Sequence, residues 1–296
     1  MTFPEKWINT IRLLNIDGVQ KANSGHPGLP MGCVPIVYTL YTKVLKHNPK
    51  NPKWFGRDRF VLSAGHWSML LYSSLYLCGY DISLDDLKNF RQLNSITPGH
   101  PEYGMTPGVE TTTGPLGQGI GNAVGMAMVS KHLAAKFNKK DHKLIDNYIN
   151  VIASDGDMME GVSHEAASIS GNLKLANLII FYDNNKITID GKLDLAMSEG
   201  VAKRYDAYGW YVQHVKDVND VDLLIEEIEE IEEIEEAKKV IDKPSLIVTD
   251  SHIGFGSPNK QDTASVHGSP LGEEEIKLTK QNLGWGYEDW RIWEWW

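Results

Sequence analysis

Two short apolar runs constrain this chain more than any other feature. Tyr148–Ala153 breaks off into Ser154-Asp155-Gly156-Asp157, and Leu178–Tyr182 breaks off into Asp183-Asn184-Asn185-Lys186-Ile187. Between them, Gly161–Leu175 has the length of a helix. Strand, polar loop, helix, strand, polar loop is a βαβ unit. In a parallel sheet both polar loops fall at the carboxyl edge, where open α/β sheets bind ligands. Asp155 and Asn185 can therefore face one point although thirty positions separate them. A carboxylate, an amide oxygen and a backbone carbonyl make a hard oxygen site, suited to Mg²⁺ or Ca²⁺ holding a diphosphate. Asp-Gly and Asn-Asn are also ordinary turn chemistry after strands, so these loops alone leave both readings open.

Histidines on breaker loops add to the case. Trp7–Gln20 has apolar residues at helical spacing and ends in Asn23-Ser24-Gly25-His26-Pro27-Gly28; Pro30–Lys43 resumes as an apolar helix. Asp58–His66 reads as a strand ending in Ser63-Ala64-Gly65-His66, followed by the apolar helix Trp67–Leu77. Orphan N–H groups at such a strand-to-helix junction attract anions such as phosphate. Leu84–Phe90 reads as a short amphipathic helix, and Thr97-Pro98-Gly99-His100-Pro101-Glu102 is a third histidine loop. Thr111–Gly121 is glycine-rich and opens the small-residue helix Asn122–Lys136. It is neither a Walker A loop nor a dinucleotide fingerprint. It suits close backbone approach to a ligand and close helix packing equally. Further strands are expected at Trp210–Val215 and Pro244–Asp250, the latter leading to Ile253-Gly254 and then to His267-Gly268-Ser269-Pro270.

Composition excludes some partners. The net charge is −10, which argues against nucleic acid. Most of that charge is local: Glu226–Glu236 holds eight glutamates, and the rest of the chain carries 29 basic against 31 acidic residues. The Ile-Glu-Glu repeat steps by three residues and so cannot keep one helix face, which points to a solvated surface helix. No apolar stretch approaches the ~20 residues that span a bilayer, and no signal pattern opens the chain. Cys33 and Cys78, the two cysteines, form neither a disulfide framework nor a metal motif. A cytoplasmic protein without a membrane partner is the expectation. The last segment is crowded with Trp285, Tyr287, Trp290, Trp293, Trp295 and Trp296, a density that is unfavourable in water unless docked or at an interface.

Read in order, these motifs resemble the N-terminal half of transketolase. The resemblance is carried by SGHPG at Ser24–Gly28, DRFVLSAGH at Asp58–His66, FRQLNSITPGHPE at Phe90–Glu102 and TTTGPLGQGIGNAVGMA at Thr111–Ala127. It continues through SDGDMMEGVSHEA at Ser154–Ala166, YDNNKITIDG at Tyr182–Gly191 and SVHGSPLG at Ser265–Gly272. It implies an open, mainly parallel α/β sheet with helices on both faces, the diphosphate-type domain of a thiamine diphosphate enzyme, over residues 1–284, with a Trp-rich tail over 285–296. It implies transfer of a two-carbon ketol unit between sugar phosphates.

By the same resemblance, Asp155, Asn185 and the Ile187 carbonyl hold Mg²⁺ on the diphosphate. His66, Gly114, Pro115, Leu116, Gly156, Glu160, Asn185, Ile253 and His267 line thiamine diphosphate. The histidines His26, His66, His100 and His267, with Glu160, serve the reaction, and His26, His100 and His267 meet hydroxyls of the ketose donor. Glu160 resembles the family's buried acid near the subunit interface, with Glu165 close by. In this family a second domain carries the aminopyrimidine half of the cofactor and its activating glutamate. The resemblance ends near Gly284, so a split enzyme is expected: this chain with a separately encoded pyrimidine-domain subunit, as a two-plus-two heterotetramer. A relative of deoxyxylulose-phosphate synthase and a non-catalytic, regulatory cofactor-binding subunit are the competing expectations. GPLGQG at Gly114–Gly119 and PGHPE at Pro98–Glu102 favour transketolase over the former. Two departures bear on the metal loop. Ser154 stands where the family usually has glycine, a small change the loop is expected to survive, and Asp157 adds a carboxylate expected beside the metal.

Overall fold

The structure, a computed structural model, describes residues 1–219, 229–286 and Trp290. Five strands form one sheet: β1 (Arg59–Leu62), β2 (Ile149–Ser154), β3 (Leu178–Asp183), β4 (Tyr211–Val215) and β5 (Ser245–Thr249). Their spatial order is β1-β2-β3-β5-β4, and every neighbouring pair is parallel. The expected open parallel sheet is thus found.

Side chains alternate across β3 as the period of a strand requires. Ile179 and Phe181 join the apolar cluster under α1 (Phe3–Ala22), α2 (Gly28–Thr39) and α3 (Ser68–Leu77). Leu178, Ile180 and Tyr182 face the opposite cluster under α5 (Gln118–Phe137), α7 (Gly161–Asn172) and α8 (Val201–Ala207). Both faces are covered, which is why the strands read as continuous apolar runs rather than alternating ones.

Several elements differ from expectation at their ends. The helix after the glycine-rich loop begins at Gln118, four residues earlier than its small-residue pattern suggests. The second helix loses α geometry after Thr39 and closes in a π turn, Leu40–Val44. The loop after β2 is not all loop. Asp155–Met159 forms the short helix α6, because Ser154 and Asp157 make a reciprocal capping box. The short helix expected over Leu84–Phe90 is α4, which spans Leu84–Lys88.

Of the Ile-Glu-Glu repeat, Ile225 and Ile228 lie outside the described residues. The helix α9 (Glu229–Lys239) buries Ile234 and Ala237 and keeps Glu235 and Glu236 in solvent, each near a lysine of the last turn. Among the late aromatics, Trp285 is buried with Leu13, Ile276 and Leu271 beneath α10 (Glu273–Asn282). Trp290 donates its backbone N–H to Asp17, itself in a buried 2.8 Å ion pair with Lys280. Tyr287, Trp293, Trp295 and Trp296 lie outside the described residues. Among the described residues, no helix is long and apolar enough to cross a membrane.

Candidate functional site

Strand register brings the polar loops together. Ser154 pairs with Asp183 and Asp183 with Thr249, so β2, β3 and β5 end in line at one sheet edge, and β1 stops short of it with Leu62 opposite Ile152. The turns bearing His66, Asp155, Asn185 and Ile253 leave from that edge.

Asp155 opens α6 and is 3% exposed. One of its oxygens accepts from the Tyr182 hydroxyl at 2.5 Å, and the other accepts from the Lys186 backbone N–H at 3.1 Å. Asn185 donates its amide to the buried carboxylate of Asp183, which also accepts from the Ser251 hydroxyl. An ionised carboxylate only accepts, so the NH₂ of Asn185 must face Asp183 and its oxygen the other way. That oxygen accepts from the Ile187 backbone N–H at 2.9 Å and keeps a second lone pair. Ile187 is held by an antiparallel bridge to Lys192 that closes the loop.

Burial pushes the Asp155 carboxyl up to about 7, with the charge of Asp183 adding to the effect. Burial likewise pushes Asp183 up to about 6. Two buried acids without a countering cation are costly, and a divalent ion would offset that cost. Among the described residues, no three His, Cys, Asp or Glu side chains gather as a protein-only metal cage. A donor set of one carboxylate, one amide oxygen and one backbone carbonyl fits a hard cation that completes its shell from a ligand's phosphates.

Beside this set, three histidines form a cluster. The ring centroids of His26 and His66 lie 4.8 Å apart, those of His66 and His267 5.7 Å, and those of His26 and His267 6.0 Å. The local sequence explains the convergence. Gly28 must be glycine, because a Cβ there would meet the Val266 carbonyl oxygen at 2.8 Å. The loop before α2 can therefore close onto the turn that carries His267. The Nδ1 atoms of His26 and His267 are buried, with no partner among the described residues. Burial and the neighbouring imidazoles push His26 down to about 4 and His66 to about 2. The cluster is neutral at pH 7, and each ring can donate from one nitrogen and accept at the other.

The expected cofactor-lining residues fall in different places. Gly114 lies against the His100 ring, 3.6 Å from where its Cβ would be, and Leu116 covers Gly156 at 2.9 Å by the same measure. Both thus stand at the edge of the site. Pro115 and His100 are exposed, and Ile253 is fully buried beneath the His267 turn. Glu160 and Glu165 are exposed and stand outside the cluster, on the surface where α6 passes into α7.

One expectation is corrected. Asp157 does not stand free beside Asp155; both of its oxygens are taken by Ser63, Gly117 and Ser154. The reason is local, since residue N3 of a capped helix turns back toward its N-cap. The pattern Ser-x-x-Asp at Ser154–Asp157 is the signal that could have shown it. Sequence reasoning also missed the roles of Tyr182 and Asp183, which open the motif at Tyr182–Gly191 but read there as the end of a strand.

The imidazole cluster gives a checkable result. His26 and His66 should stay neutral as pH falls from 8 to about 5, with flat ring-proton chemical shifts. Single substitutions of each would assign the resonances. A midpoint near the ordinary 6.5 for His26 would contradict the buried arrangement.

Comparison with known proteins places this geometry. Residues 4–294 match a family model described as the thiamine diphosphate binding domain of transketolase. A transketolase of Geobacillus stearothermophilus is 57% identical over 283 residues, 95% of this chain and 41% of the relative. A chloroplastic transketolase of Zea mays is 56% identical over 285 residues, 96% of this chain and 42% of that protein. The chain spans about two fifths of the length of these curated relatives. Among solved structures, a Pichia stipitis transketolase in complex with sedoheptulose 7-phosphate superposes with a TM-score of 0.92 at 49% identity, covering 98% of this chain and 42% of that one. The transketolase of Campylobacter jejuni gives 0.90 at 46% identity, covering 99% and 45%.

Proposed function

We propose that this chain, which belongs to the transketolase family, grips the diphosphate end of thiamine diphosphate through a divalent cation as one half of a ketol-transferring enzyme. It corresponds to that family's N-terminal thiamine diphosphate-binding domain. The observation that carries the reading is the shared sheet edge. The oxygen set of Asp155, Asn185 and Ile187 and the turn of His66 leave from strand ends at that edge, and the rings of His26, on the loop between α1 and α2, and of His267 pack against His66 there.

In this reading Asp155, Asn185 and the Ile187 carbonyl hold Mg²⁺, with Ca²⁺ an acceptable substitute. His66, Gly114, Pro115, Leu116, Gly156, Ile253 and His267 shape the pocket around the cofactor. When bound, thiamine diphosphate supplies the nucleophilic carbon and the electron sink that a two-carbon transfer needs. The protein's own share is orientation and proton movement. Neutral His26, His100 and His267 bond to hydroxyls of a ketose phosphate and carry a proton to or from them.

The partner is a pyrimidine-domain subunit. In support, α5 and α7 pack together and leave the apolar side chains Met128, Val129, Val162 and Ile169 in solvent, residues that a partner could cover. Glu160 opens the same surface, where a partner would bury it.

The test is binding by the chain itself. With Mg²⁺, calorimetry should report thiamine diphosphate binding, EDTA should weaken it by about 100-fold, and Ca²⁺ should restore it. Affinity indifferent to EDTA would remove the cation from the reading.

A further inference from the structure

Asp157 is fully buried, yet its carboxylate is among the best-satisfied groups in the molecule. One oxygen accepts from the Ser63 hydroxyl at 2.7 Å and from the Gly117 backbone N–H at 2.7 Å. The other accepts from the Ser154 backbone N–H and the Ser154 hydroxyl, both at 2.9 Å. The Ser154 hydroxyl in turn accepts from the Asp157 N–H at 3.2 Å. Four donors around one carboxylate are charge-assisted bonds, roughly twice as strong as neutral ones.

The donors come from three separate turns. Ser63 directly follows β1 and begins the turn that carries His66. Gly117 ends the Gly114–Leu116 loop and is the N-cap of α5. Ser154 ends β2, one residue before Asp155. Position 117 requires glycine: its φ is +77°, and a Cβ would meet Ser163, Val162 and Glu160 at 2.7 to 2.9 Å. Gly117 is buried, so its N–H needs an acceptor, and Asp157 supplies it. Asp157 also sits at the amino ends of α5 and α6 together, where a negative charge is favoured.

We propose that Asp157 is a positioning residue of the cofactor site, a single carboxylate that holds the turns of His66, Gly114–Leu116 and Asp155 in one arrangement. The proposal rests on the cofactor reading given above. Asp157 touches no ligand and acts through those turns, as groups behind metal ligands commonly do.

The experiment compares the full chain with Asp157→Asn and Ser63→Ala. Asparagine turns an NH₂ toward donors, whereas Ser63→Ala removes one donor of the four and carries the test if the first variant does not fold. Two quantities are measured well below both melting temperatures. The first is thiamine diphosphate affinity in Mg²⁺, expected about tenfold or more weaker for Asp157→Asn and a few-fold weaker for Ser63→Ala. The second is amide hydrogen exchange in the ligand-free chain. Gly117 and Ser154 should lose protection in Asp157→Asn, and Gly117 in Ser63→Ala, while Ile179–Phe181 of β3 exchange as in the wild type. Wild-type affinity together with wild-type exchange at Gly117 overturns the proposal, as does equal loss of protection in β3, which would mean general loosening. If the wild type binds no thiamine diphosphate, the cofactor reading fails by itself, and exchange at Gly117 and Ser154 alone decides the role of Asp157.

Discussion

Replacing Asp155 with asparagine is expected to abolish Mg²⁺-dependent thiamine diphosphate binding while leaving the ligand-free fold as stable as before, or more so. The two effects have one cause. Asp155 is a buried carboxylate whose own environment disfavours its charge. Without a bound cation that charge is a cost to the fold; with one, it is the main attraction. Asparagine fits the same contacts. Its oxygen can accept the Lys186 N–H, and its NH₂ can donate to the Tyr182 oxygen. The Tyr182 hydroxyl already points within 3.2 Å of the Asn184 oxygen, to which its proton can turn. Asp155 is a direct cation ligand in the proposed reading, and its loss should exceed the 10- to 100-fold typical of groups behind one, so affinity should fall by about 100-fold or more. Calorimetry with Mg²⁺ and thiamine diphosphate, beside thermal melting at pH 8, reads both. A variant that melts far below the wild type would show Asp155 to be structural, and one that binds normally would move the cation elsewhere.

Such a residue stands outside the rule that natural sequences agree with their fold at every level, and that is why the sequence revealed it. An apolar strand ending in Asp-Gly, paired with another ending in Asn-Asn, is legible because strand period and breakers are local signals. The parallel sheet, its carboxyl edge and the meeting of Asp155 with Asn185 follow from them. The histidine cluster was half legible. The loops of His26, His66 and His267 could be identified singly, but their meeting depends on packing between α2 and the turn after β5, which no local pattern encodes.

The supporting shell was less visible still. Tyr182 and Asp183 look like the end of a strand, and only the fold shows that they fix Asp155 and Asn185 in opposite directions. Ser63 and Asp157 are 94 residues apart, and nothing near either points to the other. The capping box between Ser154 and Asp157 was the one local signal. It reverses the first reading of Asp157 from an intruder at the metal to an anchor of three turns.

Catalysis is expected to require a second chain, and the effect should be the largest measurable here. Saturated with thiamine diphosphate and Mg²⁺, this chain alone should transfer no ketol unit from xylulose 5-phosphate to an aldose phosphate. In the proposed reading the acids at the described site serve the diphosphate end: Asp155 and Asp183 frame the cation set, and Asp157 is enclosed by its four donors. None is free to act on the far ring of the cofactor, which in this reading meets a glutamate of the pyrimidine-domain subunit. Adding that subunit supplies a general acid–base group worth about 10²- to 10⁴-fold, and it removes the apolar surface of α5 and α7 from water. The rate should therefore rise from background by about a thousandfold and saturate at one partner per chain, while light scattering reports a two-plus-two assembly. Full activity from this chain alone would refute the split arrangement. Transfer from pyruvate in place of xylulose 5-phosphate would assign the complex to the deoxyxylulose-phosphate synthase side of the chemistry. A complex that assembles and binds the cofactor but transfers nothing would make this chain a regulatory binder, because its histidines would then meet no donor sugar.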